Sequence, residues 1–291
     1  MRLDAGELTG DNVKWMELAG HDSEALADAW RRVHYACQAA AEVGKAFAEP
    51  GDDDSHTCLT WFDGAKFLDG FFAGPEVGTS KRVRGALRVW DMRLFVIGES
   101  GDAIGELELE GHTIEQATGW IVDSALNILD EPIRQATEPE TGLPAHAIGT
   151  GAVFGPPDQF PQAELIRLYS DANSILSAAS AQIDGAGAVR TRPGRFDIST
   201  VVKVGSGSIR LGLSPPDDVS AHGYWYVSGA QSDRPKLSFG CWHEVAADAP
   251  ADAVFDLVDL HGVEDVAEQR HRVGTFLSEA FNAGAERHAD A

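Results

Sequence analysis

Apolar positions along this chain recur with two periods, and the changes of period mark its parts. Leu26, Trp30, Val33, Cys37, Ala40 and Gly44 fall every three or four residues, which predicts an amphipathic helix reaching about Phe47. Asp22 or Ser23 can cap its start, and Glu49-Pro50-Gly51 stops it. After an acidic turn at Asp52-Asp53-Asp54, the runs His56–Phe62, Lys66–Phe72, Ala86–Ile97 and Ile104–Leu109 read as strands. In the last of them apolar and acidic residues alternate, as on a half-exposed strand. Thr113 and Gln116 form a capping box for a second helix striped by Ile114, Ala117, Ile121, Ala125 and Ile128, ending before Pro132.

The period is lost between residues 131 and 162, which hold six of the thirteen prolines. A connection of that length is uncommon inside a compact domain and predicts a linker or wrapping arm. The pattern then restarts. A helix begins near Pro161 and carries Leu165, Leu168, Ala172, Ile175, Ala179 and Ile183. Strand-like runs follow at Phe196–Val204, Ser208–Leu213, His222–Val227 and Leu237–Trp242, then a helix over Val263–Glu286 with a fraying tail at Arg287–Ala291. Each half thus reads helix, antiparallel strands, helix. The expected fold is α+β, with residues 1–135 as a first half, 136–162 as a Pro-rich linker or arm, and 163–291 as a second half. Each half is expected to be an antiparallel sheet packed by helices, and the similarity of the two patterns raises an internal duplication as a hypothesis.

Composition narrows the function more than it defines it. The 291 residues are 43% hydrophobic, with seven Trp and thirteen Phe, enough for a sizeable core. Forty-six acids against twenty-three bases give a net charge of −23, which repels a phosphate backbone at long range, so no nucleic-acid partner is expected. Only six of the bases are Lys, a balance that suits a high-GC genome and a salty cytoplasm alike. No apolar run approaches the ~20 residues of a membrane span, and the start has no basic-then-apolar pattern of a secretion signal. Cys37, Cys58 and Cys241 lie far apart without a CxxC pair, which fits reduced thiols. A soluble cytoplasmic protein with no membrane partner is the expectation.

Local motifs of known chemistry are absent. Gly205-Ser206-Gly207 follows a strand, but Ile209-Arg210-Leu211 continues as a strand, so it reads as a hairpin turn and not a dinucleotide loop. His56 with Cys58, His222 with Tyr224 and Tyr226, and Cys241 with His243 share strand sides, a donor set that suits zinc or copper. No close-spaced ligand pair supports such a site, so neither a metal nor a cofactor is expected. Tyr224-Trp225-Tyr226 reads as sheet cover and Asp217-Asp218 as a turn.

Two basic islands interrupt the acidic background: Lys81, Arg82, Arg84 and Arg88, then Arg190, Arg192 and Arg195. Arginine forks suit carboxylates and phosphates. His34 lies beside the apolar stripe of its helix, and Lys45 stands at that helix's end, where satisfying terminal carbonyls is its favoured role. The expected function is binding of a small anionic molecule in a pocket between sheet and helices, with His34, Lys45, His56, Arg82, Arg84, Arg192 and Arg195 as candidate contacts. An acid–base enzyme using His, Lys or carboxylate residues is one alternative. An interaction module without pocket chemistry is another.

Val33-His34-Tyr35, Glu42-Val43-Gly44-Lys45 and His56-Thr57-Cys58-Leu59 together resemble the opening of a family of uncharacterised bacterial proteins, a domain of unknown function. In that family a helix ends in Gly-Lys before a His-bearing strand. Gly194-Arg195-Phe196-Asp197-Ile198 is similar to its second-half segment. Where the family has a second Gly-Lys and a His-rich strand, this chain has Gly185-Ala186-Gly187-Ala188-Val189-Arg190. The resemblance implies an architecture and no activity, and it implies that any Lys and His chemistry of that half is lost here.

Overall fold

The computed structural model of the chain describes residues 2–10, 13–18, 23–51, 55–64, 67–134, 142–229, 235–243 and 252–290. The expected cap at Asp22, the acidic turn 52–54, Lys66 and the middle of the Pro-rich segment lie outside the described residues. The fold is α+β. Among the described residues it has five α-helices: α1 (Ala5–Thr9), α2 (Ser23–Phe47), α3 (Ile114–Leu129), α4 (Gln159–Ala181) and α5 (Val266–Asp290). Two antiparallel sheets accompany them. The first is a meander of β1 (Thr60–Gly64), β2 (Phe67–Ala73), β3 (Val83–Arg88), β4 (Arg93–Gly98) and β5 (Ala103–Glu108). The second joins β6 (Arg190–Thr191), β7 (Ile198–Val204), β8 (Gly207–Ser214), β9 (Tyr224–Ser228), β10 (Cys241–His243) and β11 (Asp252–Asp256) in the order β10-β11-β9-β8-β7-β6.

Two compact units result. The first comprises Glu24–Ile166 and Thr191–Phe196; the second comprises Met1–Ser23, Arg167–Arg190 and Asp197–Ala291. The chain passes from one to the other within α4, not within the Pro-rich segment, and the N-terminal residues belong with the second sheet.

In the first unit, strand alternation gives the sheet two different faces. Leu87 pairs across from Leu94, and Gly85 from Val96, on the face covered by α2 and α3. Gly85 permits the close approach of α2, because a Cβ there would lie 2.4 Å from the Ala40 carbonyl oxygen. The predicted capping box on α3 is formed in full: the Thr113 hydroxyl accepts the Gln116 N–H, and the Gln116 side chain accepts the Thr113 N–H. The described part of the Pro-rich segment is an arm lying on α2. Pro144 accepts from the Tyr35 hydroxyl (2.8 Å), Gly155 and Pro156 accept from Arg32 (2.8 and 2.7 Å), and His146 faces Asp28 at 3.2 Å.

Two strand expectations in the first unit shift, and in the second the expected strand Leu237–Trp242 is strand only from Cys241. The run Ala86–Ile97 is not one strand but the end of β3, a turn, and most of β4. Asp91 accepts two bonds from Arg88 (2.7 and 2.5 Å), and Met92 takes a left-handed φ of 49° to reverse the chain. His56 lies in a turn before β1, where its Nδ1 accepts the Gly51 N–H at 3.2 Å.

In the second unit, Ile198, Leu213, Trp225 and Phe255 form one cross-strand row beneath α5, with Phe255 5.6 Å from Phe276. Residues 2–10 and 13–18 are stitched to α5. The Asn282 amide both accepts the Leu3 N–H (2.7 Å) and donates to the Leu3 carbonyl (2.9 Å), and Gln269 bonds the backbone of Leu18. β11 was not expected from the sequence. The helix expected to end at Glu286 continues to Asp290.

Candidate functional site

On the first sheet, the face turned away from α2 and α3 changes character from one edge to the other. Phe62 stands opposite Phe71, Phe71 opposite Arg88, Arg88 opposite Arg93, and Arg93 opposite Glu108. The neighbouring row runs Ala73, Ala86, Phe95 and Glu106. One end is therefore aromatic and apolar, with Phe71, Ala73, Ala86, Phe95 and Ile97 forming a buried cluster. The other end is an ion-pair ladder, in which Arg93 lies 3.2 Å from Glu106 and 3.5 Å from Glu108. Arg88 joins the two, its guanidinium 4.9 Å from the Phe95 ring centre and bonded to Asp91.

A cavity of about 330 Å³ opens above the apolar end. Phe71, Ala73 and Ile97 are among its lining, with the half-exposed Phe62 at one side. The guanidinium of Arg84 lies 5.9 Å from the Phe62 ring centre and 2.9 Å from a Glu76 carboxylate oxygen. Arg82 approaches the other Glu76 oxygen at 3.8 Å. Asp63 also lines the space and accepts the Trp61 indole N–H at 2.7 Å. The β4–β5 turn, Gly98 to Gly101, closes the end and brings Glu99, for which no cationic partner exists among the described residues.

A more open groove of about 560 Å³ shares Gly98, Glu99 and Ser100 with this cavity and continues to Ser80, Lys81 and Arg82. The loop bearing those three is tied down beside them. Thr79 donates its N–H (2.8 Å) and hydroxyl (2.6 Å) to Glu131, and these bonds hold the Glu131 carboxyl below its ordinary value.

All seven candidate residues fall in the first unit, but they do not gather at one place. Arg84 lines the cavity and Arg82 the adjoining groove. His34 is buried in α2, where Nε2 donates to the Pro193 carbonyl at 2.6 Å and the ring stacks on Phe196 at 4.8 Å. A carbonyl only accepts, so the proton resides on Nε2. Gln38 donates to the same carbonyl at 2.8 Å, and Phe196 holds a left-handed φ of 57°. His34 thus clamps the segment Thr191–Phe196 onto α2. Lys45 lies 3.6 Å from Glu42 on its own helix, and His56 closes its turn. Arg192 is half-buried and Arg195 exposed in the clamped segment. None of these five lines the cavity or the groove.

Sequence reading missed Phe62, Phe71, Ile97, Glu76 and Glu99. The alternation of β2, β3 and β4 was the signal for the floor, but the concealed turn at Val89–Met92 scrambled its register. Glu76 sits in a loop with no periodicity to place it.

The corresponding face of the second sheet is built differently. Ser199, Gly212, Tyr226, Val254 and Cys241 form one cross-strand row. A Cβ on Gly212 would lie 2.8 Å from the Tyr226 ring, so glycine lets that ring lie on the sheet. The Tyr226 hydroxyl donates to Asp197, and Tyr224 donates to Asp217 at 2.7 Å. Burial foremost, and then the Asp197 charge, push the Tyr226 phenol well above its usual value. Asp256 accepts from the Ser220 hydroxyl at 2.5 Å and lies 3.5 Å from His222 Nδ1. The Asp217 expected to serve a turn does so, capping the Val219 N–H at 2.8 Å.

The thiols divide in the same unit-by-unit way: Cys37 and Cys58 are buried and Cys241 is exposed, and burial pushes the Cys37 thiol well up. Among the described residues no three His, Cys, Asp or Glu side chains converge as metal ligands would, and no helix is long and apolar enough to cross a membrane. The second unit also has a cavity of about 720 Å³ beside α5, but its lining is mixed and among the described residues includes no aromatic ring. No family model matches this chain, and no curated protein or solved structure shows significant similarity to it.

Proposed function

We propose that the first unit binds a small ligand carrying an anionic group, with Arg84 as the anchor and the Phe62–Phe71–Ile97 surface receiving the ligand's apolar body. The observation that supports this is the position of Arg84. Its guanidinium is only partly exposed, is flanked by an aromatic ring, and opens onto a concave apolar floor beside its carboxylate partner Glu76. Ligand sites combine an apolar lining with a few fixed polar groups, within roughly 300–1,000 Å³. A guanidinium in such a setting presents paired N–H donors that match a carboxylate or phosphate. On this reading the ligand occupies the cavity on the sheet face away from α2 and α3, a different place from the pocket between sheet and helices expected from the sequence. An acid–base enzyme is the second reading, favoured by Asp256 between Ser220 and His222; it ranks lower because the carboxylate oxygens of Asp256 already face those two groups.

A thermal-shift series with small carboxylates, phosphates and amino acids tests the binding reading. A ligand at about 100 times its dissociation constant adds ~2.7 kcal/mol of stability. The shift is expected to vanish in Arg84→Ala and to persist in Arg195→Ala. Equal shifts in both variants would remove Arg84 from the site.

A further inference from the structure

Resting on that reading of the first unit's cavity, we propose that its ligand is a zwitterion, a free α-amino acid with an apolar or aromatic side chain. The charge inventory of the cavity carries this further than a plain anion. Among the described residues Arg84 is the one cation in the lining, set among three carboxylates, Asp63, Glu76 and Glu99. A ligand bearing only negative charge would satisfy Arg84 and be repelled by the rest, and the chain's net charge of −23 would oppose its approach as well.

The three carboxylates are not equivalent. Glu76 is already engaged by Arg84 and Arg82, and Asp63 by the Trp61 indole. Glu99 has no cationic partner among the described residues and sits on the turn that closes the cavity. It is the group left to receive a cation. Arg84 would take the carboxylate of an α-amino acid and Glu99 its ammonium, and the rest of the lining, Phe62, Phe71, Ala73 and Ile97, is apolar and suits its side chain. The volume, about 330 Å³, stands at the small end of ligand sites and suits a molecule of this size. A neutral apolar ligand would leave both charges unused, and a cation would meet Arg84.

Isothermal titration of the full chain with L-phenylalanine, N-acetyl-L-phenylalanine and L-phenylalaninamide separates the cases, since these share a side chain and differ only in charge. The free amino acid is expected to bind at least about tenfold more tightly than either analogue, the size of one lost charge-assisted contact. Glu99→Gln, an exposed turn substitution that leaves the core untouched, should weaken phenylalanine and, because it removes a repelling charge, should not weaken the N-acetyl compound. If N-acetyl-phenylalanine binds as tightly as phenylalanine and still depends on Arg84, the zwitterion inference falls while the anion site stands. If the amide binds best, or none of the three binds at millimolar concentration, both fall.

Discussion

The faces of the two antiparallel sheets that turn away from the helices named above are finished in opposite ways. On the first, charged groups stand around an apolar floor: Glu76 pairs with arginines that are partly exposed, and Glu99 has no cationic partner among the described residues. On the second, hydroxyls are tied to carboxylates, Tyr226 to Asp197, Tyr224 to Asp217 and Ser220 to Asp256. The lesson is physical. A buried polar group needs a partner, so a network whose members satisfy one another has little left to offer a ligand. A half-exposed ion pair beside an apolar hollow keeps that capacity, because solvent already shares its charges.

The two faces should therefore break differently. The largest effect is expected from Phe95→Ala, which removes a ring packed among Phe71, Ala86 and Ile97; denaturant unfolding should show a loss of about 3–5 kcal/mol. A cost below about 1 kcal/mol would mean the apolar floor is not a core.

Tyr226→Phe comes next. It removes the donor that holds Asp197 in a buried site and is expected to cost about 1–3 kcal/mol. The same residue predicts a pH dependence. Its phenol is raised in the folded protein, so folded and unfolded states both keep the proton below the ordinary value of about 10. Above that the unfolded chain loses its proton first, and the wild type should lose stability as the pH climbs toward the folded value. The contribution is fully present at neutral pH and absent from the variant at every pH. Parallel stability profiles for the two proteins above pH 10 would contradict the assignment.

The smallest effect on stability, and the most informative for binding, belongs to Glu76→Gln. An exposed pair contributes about 0–1 kcal/mol, so folding should barely change. Affinity for a ligand carboxylate should rise, because Arg84 loses its internal competitor. A fall in affinity would show that Glu76 orients Arg84 and does not compete for it.

Much of this division was legible in the chain. The helical stripe from Leu26 to Gly44, the Thr113–Gln116 box and the alternation of residues 104–109 each rest on local periods that the structure keeps. What stayed hidden depends on distance or on disguise. The reversal at Val89–Met92 is disguised by hydrophobic residues and is made by the Arg88–Asp91 pair, not by glycine or proline. β11 is a five-residue strand, too short for its apolar run Ala253-Val254-Phe255 to show a period. His34 looked available for a ligand because its acceptor, Pro193, is 159 residues away. The basic island at Arg82 and Arg84 was visible as charge, but only the register of β3 aims Arg84 at Phe62 and the floor.

The central claim is that binding belongs to the first face and not the second. Backbone amide chemical shifts, followed by NMR during titration with L-phenylalanine, test it most directly. The account predicts saturable changes concentrated at Phe62, at Glu76, at Arg84 and through the Gly98–Gly101 turn, with Tyr224, Tyr226 and Asp256 unmoved. Saturable changes centred on the tyrosine–aspartate network, with the Gly98–Gly101 turn silent, would contradict it.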